Sequence, residues 1–275
     1  MHQHEFDMTA ADFNYIKQQL YIHAGIVLGE HKKEMVYSRL SRRIRHLQLT
    51  NFKQYCDYLK AHSEHELSAF VNALTTNLTS FFRENHHFEF LKQLAQTQWQ
   101  QDKNMKRKIR IWSAGCSTGE EPYSIAMTLT ESLNLKQWDC KILATDLDSN
   151  VLATAKNAQY DRRRLESSQL PLGLKYFTAA EDATVVTLKN TVRQLVHIKR
   201  LNLLQPQWPM KGLFDVIFCR NVVIYFDLAT KNQLIRRYAQ YLKPNGYLFM
   251  GHSETMSRDI TEFKSLGQTI YQKQG

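Results

Sequence analysis

The residues with the clearest chemical potential form a glycine-rich segment, SAGCSTGEE at 113–121, between a predicted strand and a predicted helix. Glycines in such a turn let backbone N–H groups and the N-terminus of the helix come close to a ligand. Three kinds of chemistry use a turn of this type. They are phosphate binding, attack by a serine nucleophile, and binding of a nucleoside cofactor.

The first two chemistries explain the turn incompletely. Gly115 and Gly119 are closer together than GxxxxGK[ST] requires, and a glutamate stands where the phosphate-binding lysine is needed. The segment does satisfy GxSxG with Ser117 as nucleophile, and Asp227 and His252 follow in the chain order of a hydrolase triad. The turn follows the first strand of the predicted sheet, however, and no glycine-rich oxyanion segment precedes it. The serine hydrolase therefore stays as an alternative.

A nucleoside cofactor accounts for more of the residues. A second predicted strand ends at Asp146, where a carboxylate would meet ribose hydroxyls. Arg220 and Asn221 follow another strand, at the same predicted edge of the sheet. The turn lacks GxGxxG, which disfavours NAD, and Glu120 and Glu121 make the pocket acidic. S-adenosylmethionine, a sulfonium without phosphate, suits this pocket.

Each of these residues also has a purely structural interpretation. Ser117 or Thr118 would cap the following helix, and Asp146 would cap the helix after its own strand. Arg220 and Asn221 would occupy a surface turn. What favours a ligand site is their combination at the carboxyl ends of neighbouring strands.

Alternating strand and helix patterns beyond about residue 108 predict the fold that positions these residues. The predicted strands are 109–114, 140–146, 196–201, 214–219, 246–251 and 268–273, and the predicted helices are 120–133, 148–157 and 228–242. This order predicts an α/β domain with right-handed crossovers and a mostly parallel sheet covered on both faces. A period-two pattern near 172–195 predicts a small antiparallel β subdomain, and the last two strands are expected to form a hairpin-like edge.

Residues 1–80 show helical periodicity and no strand pattern. Thr9 and Asp12 form a capping-box sequence at the start of the first helix. Further helices are predicted at about 34–47, after Asn51 and around 67–74, and a connecting helix from Ser80 to about Gln98. We therefore expect an all-helical domain at 1–80 and the α/β domain at 81–275.

A basic stripe lies on predicted helix 34–47, where Arg39, Arg42 and Arg43 flank the apolar face. The chain carries a formal net charge of +10, which calls for a nucleic acid, an acidic membrane surface or an acidic protein as partner. Nucleic acid is not expected, because the stripe has no interleaved aromatic residues and matches no base-reading motif. A solvated charged face remains the alternative.

Composition narrows the class of protein further. An apolar fraction of 43% and a charged fraction of 23% exclude wholesale disorder. No apolar run approaches the ~18 residues of a membrane span, and the first residues lack the apolar core of a secretory signal. The four cysteines have no CxxC or Cys/His metal-ligand spacing, so reduced thiols and no metal are expected. These features predict a cytoplasmic protein without membrane insertion.

Several long segments resemble the chemotaxis receptor methyltransferases of the CheR type. The matching segments, in chain order, are NLTSFFRE (77–84), IWSAGCSTGEEPYS (111–124), ATDLD (144–148), NLL (202–204), FDVIFCRNVVIYFD (214–227) and LKPNGYLFMGHSE (242–254). The resemblance covers nearly the whole chain. It implies a Rossmann-like S-adenosylmethionine-dependent methyltransferase domain, with a small antiparallel β subdomain, preceded by an all-α N-terminal domain that recognises receptors.

The resemblance also implies the site residues. The cofactor-binding positions of the family fall on Asn77, Thr79, Arg83, Glu121, Asp146, Asn202, Leu203, Arg220 and Asn221. Arg83 and Tyr225 correspond to the residues nearest the transferred methyl group, and so to the catalytic positions. From the residues alone, Arg83 would be an exposed residue at a helix start and Tyr225 a core residue.

The implied reaction is methyl transfer from S-adenosylmethionine to receptor glutamates, giving glutamyl methyl esters and S-adenosylhomocysteine. A glutamate is already ionised at pH 7, so the nucleophile needs no general base, and positioning and desolvation are what help. A methyltransferase with another acceptor, and a degenerate domain that binds cofactor and receptors without transfer, remain as alternatives.

The expected partner is the cytoplasmic helical methylation region of chemotaxis receptors, which the basic stripe would dock beside. The chain is expected to be a monomer. Some family members grip a tether peptide at the receptor C-terminus with a glycine-containing loop. Residues 178–190 contain no glycine and are few, so direct recognition of the methylation region is expected instead.

Overall fold

A computed structural model describes residues 4–102, 106–167, 172, 174–179 and 184–275. The chain divides into two compact units. Unit 1 comprises Met1–Thr76 with Tyr225–Thr230, and unit 2 comprises Asn77–Ile224 with Lys231–Gly275.

Unit 1 contains helices and no strand among its described residues. Its helices are α1 (Ala10–Ala24), α2 (Lys33–His46), α3 (Phe52–Ala61) and α4 (Ser63–Leu74). The capping box at Thr9 and Asp12 is present, and Asn51 caps α3 through its side chain. α1 ends at Gly25, whose left-handed conformation (φ 68°) favours glycine. The helices bury one apolar face each, as the periodicity predicted.

The predicted connecting helix from Ser80 to Gln98 is wrong at its start. Helix α5 covers only His86–Leu94 and continues as a π-helical turn to Trp99. Phe82 and Glu84 adopt positive φ, which breaks the helical path. Phe81 and Phe82 are buried in the apolar core of unit 2, so this segment is a fixed connection rather than the first turn of a helix.

Unit 2 is built on a mixed sheet. Its remaining helices are α6 (Glu120–Ser132), α7 (Ser149–Asn157), α8 (Arg162–Ser167), α9 (Asn190–Arg193) and α10 (Leu228–Tyr241), whose first turn belongs to unit 1. The strands of the main sheet are β1 (Lys108–Ala114), β2 (Asp139–Asp146), β6 (Val196–Arg200), β7 (Phe214–Cys219), β8 (Leu242–Met250), β9 (Phe263–Gly267) and β10 (Ile270–Lys273). Their order is β6-β2-β1-β7-β8-β10-β9, parallel from β6 to β8 and antiparallel beyond. The mostly parallel α/β sheet is thus confirmed.

Both faces of the main sheet are covered. Ile111 and Trp112 of β1 show this, since neighbouring residues of a strand point to opposite faces. On one face Ile111 belongs to the same apolar cluster as Phe88 and Phe218. On the other face Trp112 packs edge-on against Trp208, with ring centroids 4.8 Å apart. All six residues of β7 are buried, as expected of a central strand of a parallel sheet.

The small antiparallel sheet begins earlier than predicted. Its strands are β3 (Gln159–Asp161), β4 (Phe177–Ala179) and β5 (Val185–Leu188), in the order β3-β5-β4. The prediction near 172–195 found β5, whose alternation is regular, but not β3, which is only three residues long. Part of the stretch 178–190, on which the expectation about the tether rests, lies outside the described residues.

The expected hairpin between the last two predicted strands is also corrected. β10 pairs antiparallel with β8, but β9 lies between them in sequence and pairs with the other side of β10. The edge of the sheet is therefore β9, which the sequence pattern did not reveal because four of its five residues are exposed.

The four cysteines are free and buried. Within the described ranges, no helix combines the length and the apolar character that crossing a bilayer would demand.

Candidate active site

The candidate site of unit 2 lies where parallel strands end. The carboxyl ends of β1, β2, β6 and β7 meet at one edge of the sheet, since these strands are parallel and adjacent. The loops that follow them carry most of the residues predicted from the sequence. The carboxyl edge of an open α/β sheet is the usual location of a ligand crevice.

The glycine turn between β1 and α6 depends on two left-handed glycines. Gly115 (φ +99°) and Gly119 (φ +100°) adopt backbone conformations that other residues avoid. A Cβ at position 115 would lie 2.3 Å from Cγ2 of Val222, so the turn packs directly against the loop after β7. The expected helix cap at Ser117 or Thr118 is wrong, because the N-cap is Gly119 and α6 has no side-chain cap.

Asp146, at the end of the neighbouring strand β2, is hydrogen-bonded to the glycine turn. Its two carboxylate oxygens accept N–H groups of Ser117 (2.8 Å) and Asp148 (3.0 Å). Burial raises the pKa of Asp146 and outweighs these two hydrogen bonds. Each oxygen keeps a second lone pair, so the carboxylate can still accept a hydroxyl group. The cap of α7 is Asp148 rather than Asp146, which leaves Asp146 for the edge of the sheet.

The segment after α4 lies along the same edge of unit 2. Asn77 donates its side-chain amide to Asp148 (2.8 Å), and its carbonyl accepts the Ser117 hydroxyl (3.0 Å). Thr79 follows two residues later and is partly exposed. These contacts fix the segment against the ends of β1 and β2.

Arg83 is held in place by the same segment and by the loop after β7. Its guanidinium donates to the Leu78 carbonyl (2.8 Å) and to Oδ1 of Asn221 (2.7 Å). Arg83 remains partly exposed. These two hydrogen bonds to separate acceptors leave the remaining N–H groups of the guanidinium available to an incoming acceptor.

Arg220 is buried between two carboxylates. Its guanidinium lies 3.2 Å from Glu84 and 3.2 Å from Glu121, and it also donates to the Arg83 carbonyl. Burial pushes the pKa of Glu84 upward, but Arg220 and the hydrogen bonds from His252 and Asn221 hold it below its ordinary value.

Burial dominates at the second carboxylate of this ion-pair network. It raises the pKa of Glu121 despite Arg220 and the Ser113 hydroxyl, which donates to it at 2.7 Å. The two glutamates flanking Arg220 therefore differ in proton affinity although they share one cation.

Asn202 and Leu203 lie in the loop after β6. The Asn202 side chain accepts the N–H of Leu204 (2.9 Å), and the Leu203 carbonyl accepts the indole N–H of Trp208 (3.1 Å). Leu201 donates its N–H to the Asp146 carbonyl (3.0 Å), which joins this loop to the end of β2. The loop after β6 is thus stabilised by its own asparagine and bonded through its backbone to the strand that ends at Asp146.

Tyr225 belongs to unit 1 together with the segment that follows it. It ends a short 3₁₀ helix, is partly exposed, and its carbonyl accepts the N–H of Val27 (2.8 Å). The interpretation of Tyr225 as a core residue is therefore wrong. Its place relative to the edge of the sheet stays a prediction.

The contacts of Ser117 and Asp227 do not form a hydrolase triad. The Ser117 hydroxyl donates to the Asn77 carbonyl, whereas a nucleophile would donate to a histidine. The Asp227 carboxylate accepts the Tyr21 hydroxyl (2.9 Å) and the N–H of Thr230 (2.8 Å). The GxSxG match is thus explained by the cofactor-type turn.

The three arginines of the basic stripe have different environments in unit 1. Arg43 forms two hydrogen bonds with the buried carboxylate of Glu66, and Arg39 donates to the Thr75 carbonyl (2.5 Å). Arg42 is exposed. Of the three, Arg42 presents the most accessible positive charge, and Arg43 serves the packing of α2 on α4.

Sequence reasoning missed three ionisable residues that organise the site. Glu84 holds Arg220, His87 is fully buried beside it, and Glu254 binds backbone N–H groups of the loop after β7. Glu84 and Glu254 lie at the ends of recognised segments, so their presence was visible. Their burial was not, because it depends on loops that are distant in sequence.

The acidic side chains of the site fit S-adenosylmethionine better than a phosphate-bearing cofactor. Glu120, Glu121, Asp146 and Asp148 place carboxylates around one edge of the sheet. Carboxylates attract the sulfonium and amino groups and accept ribose hydroxyls, but they repel a pyrophosphate. Within the described ranges, no group of histidine, cysteine or acidic side chains is arranged to hold a metal ion.

Comparison with known families agrees with this geometry. The description "CheR methyltransferase, SAM binding domain" matches residues 77–272, and "CheR methyltransferase, all-alpha domain" matches residues 11–75. The chain is 45% identical over 269 residues to chemotaxis protein methyltransferase 2 of Pseudomonas aeruginosa, covering 97% of this chain and 94% of that protein. It is 42% identical over 267 residues to the chemotaxis protein methyltransferase of Salmonella typhimurium, covering 96% and 90%. Because the two family matches together, and each of the two relatives, span nearly the whole chain, the protein belongs to the CheR methyltransferase family and is an S-adenosylmethionine-dependent methyltransferase.

Proposed function

We propose that the chain transfers a methyl group from S-adenosylmethionine to glutamate side chains of chemotaxis receptors, producing glutamyl methyl esters. The observation that carries the proposal is the pairing of an acidic carboxyl-edge site with Arg83, a partly exposed cation anchored to Asn221. A carboxylate acceptor needs a cation to orient it beside several acidic side chains, and the other arginine of the site, Arg220, is already buried between Glu84 and Glu121. Arg83 is suited to that role.

The cofactor would be held by residues from five segments of the chain. The proposed set is Asn77, Thr79, Arg83, Glu121, Asp146, Asn202, Leu203, Arg220 and Asn221. When bound, the cofactor supplies an electrophilic methyl group that an ionised glutamate can accept without a general base. Arg220 contributes by holding Glu121 and Glu84 in place, since its own guanidinium is buried between them.

The catalytic assignment is Arg83 and Tyr225. Arg83 orients the acceptor carboxylate through the guanidinium N–H groups that Leu78 and Asn221 leave over. Tyr225 donates a hydrogen bond near the reacting groups. Excluding water from the acceptor carboxylate would raise its reactivity, because a bare anion is a better nucleophile than a hydrated one.

Receptor recognition is assigned to the helices of unit 1 and transfer to unit 2, which begins at Asn77, a few residues before the boundary expected at residue 80. Arg39, Arg42 and Arg43 form the proposed docking stripe for acid-rich receptor helices. The different environments of the three predict unequal roles, with Arg42 contributing most of the contact. Recognition is direct, without a receptor tether peptide, and the enzyme acts as a monomer in the cytoplasm.

Kinetics of labelled methyl transfer to a receptor methylation-region fragment test these roles. Arg83→Ala is expected to lower kcat by at least about tenfold, and Tyr225→Phe by a similar factor. Arg39→Ala combined with Arg42→Ala should raise KM for the fragment and leave the affinity for S-adenosylhomocysteine unchanged. Wild-type rates in both catalytic variants would refute the catalytic assignment, and loss of cofactor affinity in the arginine variant would refute the docking role.

A further inference from the structure

The loop after β7 is held by one buried carboxylate. The backbone N–H groups of Asn221 (2.8 Å), Val222 (2.8 Å) and Ile224 (3.3 Å) all donate to Glu254, and so does that of Gly251 (2.6 Å). Each carboxylate oxygen accepts two of the four. Glu254 is only 1% exposed, so the interaction is shielded from water.

The carboxylate has no cationic partner among the residues that the structure describes. Its charge is balanced by backbone dipoles alone, as in an anion-binding nest. Burial raises the pKa of Glu254, and the four N–H groups act in the opposite direction. This arrangement requires acceptors at both carboxylate positions, because the O–H of a protonated carboxyl or the NH2 of an amide would point a donor at the backbone N–H groups.

Close packing shows that the loop is tightly fixed. Asn221 adopts φ +59°, which is uncommon for a residue with a side chain. A Cβ on Gly251 would lie 2.8 Å from the Asn221 backbone nitrogen and 2.8 Å from Oε2 of Glu254. The position of Gly251 therefore admits only glycine, and it lets β8 deliver Glu254 directly under the loop.

The residues on this loop are the ones that organise the site. Oδ1 of Asn221 accepts a hydrogen bond from the Arg83 guanidinium. Arg220 forms ion pairs with both Glu84 and Glu121. Val222 presses against Gly115 of the glycine turn. A shift of the loop backbone would therefore move the proposed acceptor-orienting arginine and the turn together.

We propose that Glu254 is a positioning residue for methyl transfer, acting through the backbone of residues 221–224 to fix Asn221 and thereby Arg83. The inference rests on the proposed function for its catalytic consequence. Its structural part concerns the loop alone. The proposed role requires no contact of Glu254 with acceptor or cofactor.

The first test replaces the acceptor-only carboxylate by an amide. Glu254→Gln is expected to weaken S-adenosylhomocysteine binding by at least about tenfold in calorimetry, because one oxygen is lost to a donor group. It should lower kcat more than it raises KM for the receptor fragment. Glu131→Gln is the matched control, since that carboxylate binds Lys175 and Tyr176 far along α6 and should leave both quantities unchanged.

A double-mutant cycle separates positioning from general damage. If Glu254 acts through Asn221, the losses of affinity in Glu254→Gln and Asn221→Ala should be strongly non-additive. Additive losses would overturn the inference.

Amide hydrogen exchange in the wild-type chain tests whether Glu254 fixes the loop backbone, even if the Glu254→Gln variant fails to fold. The N–H groups of Asn221, Val222 and Ile224 should exchange as slowly as those of β7, although they lie outside its ladder. Fast exchange at these amides would overturn the inference, whatever the cofactor result. Failure of the wild-type chain to bind S-adenosylhomocysteine would instead refute the proposed function and leave the exchange test intact.

Discussion

At the scale of single residues, Arg42 and Arg43 of the basic stripe are expected to have different roles, Arg42 in receptor recognition and Arg43 in the stability of unit 1. Arg43 neutralises Glu66, a carboxylate with 1% exposure that also accepts the Tyr55 hydroxyl at 3.0 Å. Arg43→Ala would leave a buried charge without its cation, which typically costs about 3 kcal/mol. Arg42→Ala removes an exposed charge and should change the free energy of unfolding by less than about 0.5 kcal/mol.

Urea unfolding of the two variants measures this difference. Equal stability of Arg42→Ala and Arg43→Ala would show that the Glu66 pair is not needed for the fold of unit 1. The KM for the receptor fragment should change in the opposite order: Arg42→Ala should raise it more than Arg43→Ala does, although Arg43→Ala lowers the stability more.

His87 predicts a pH dependence of stability. The ring is fully buried, stacks on Phe249 and binds the Gln268 carbonyl through Nε2 (3.1 Å). Burial, together with the positive charges of Arg220 and His86, lowers its pKa to about 3. Because the unfolded chain takes up this proton near pH 6.5 and the folded chain does not, stability is full above about pH 6.5 and falls as the pH drops toward 3.

The loss attributable to His87 is at most about 1.4 kcal/mol per pH unit in this window. The free energy of unfolding, measured between pH 7 and 5, should therefore fall more steeply for the wild type than for His87→Gln. His197→Gln, at an exposed histidine of β6, should keep the wild-type slope. A common slope for the wild type and both variants would show that His87 does not stay neutral.

At the scale of elements, the turn between β1 and α6 is the most sensitive to backbone geometry. Gly115→Ala combines a strained φ with a Cβ 2.3 Å from Val222, so it must displace either the turn or the loop after β7. We expect at least about tenfold weaker S-adenosylhomocysteine binding. Gly212→Ala is the control, because a Cβ there meets nothing within 4 Å.

Calorimetry of the two glycine variants provides the measurement. Unchanged affinity in Gly115→Ala would mean that the glycine turn does not shape the cofactor site. Equal losses in both variants would point to a general effect of substitution on the fold.

The sequence predicted the elements of the sheet well and its irregular connections poorly. β1, β2 and β7 are apolar strands with regular periodicity, and their predicted bounds are within a residue of those observed. β9 was missed because its exposed residues lack an apolar pattern. The false helix start at Ser80 arose because Phe81 and Phe82 look helical in sequence, while their burial in unit 2 depends on tertiary contacts.

The same distinction holds for the candidate site. Asp146, Arg220 and Asn221 were predicted to share an edge, since strand ends in a parallel sheet converge. Glu84 and Glu254 were not predicted, because their partners lie on loops far away in sequence. Local patterns place residues on elements, but they do not show which charges the fold will bury.

At the scale of the whole molecule, the formal net charge of +10 should make receptor use depend on salt. The Debye length shrinks from about 10 Å at 0.1 M to about 3 Å at 1 M ionic strength, so exposed charges stop attracting an acidic partner. KM for a receptor fragment should rise several-fold over this range, while KM for S-adenosylmethionine changes less than about twofold.

Steady-state kinetics at the two salt concentrations make this comparison. Arg42→Ala should reduce the salt effect on the receptor KM, because it removes part of the attracting charge. A receptor KM that is independent of salt would contradict docking through the basic stripe.

The chemical identity of the product is the most direct test of whether the chain forms glutamyl methyl esters on receptors. The chain is incubated with methyl-labelled S-adenosylmethionine and a receptor methylation-region fragment, and the fragment is then treated with mild base. We expect label on the fragment that base releases as methanol, and no label when the target glutamates are replaced by glutamine. Base-stable label, or label that persists without those glutamates, would contradict glutamyl ester formation and assign the methyltransferase another acceptor.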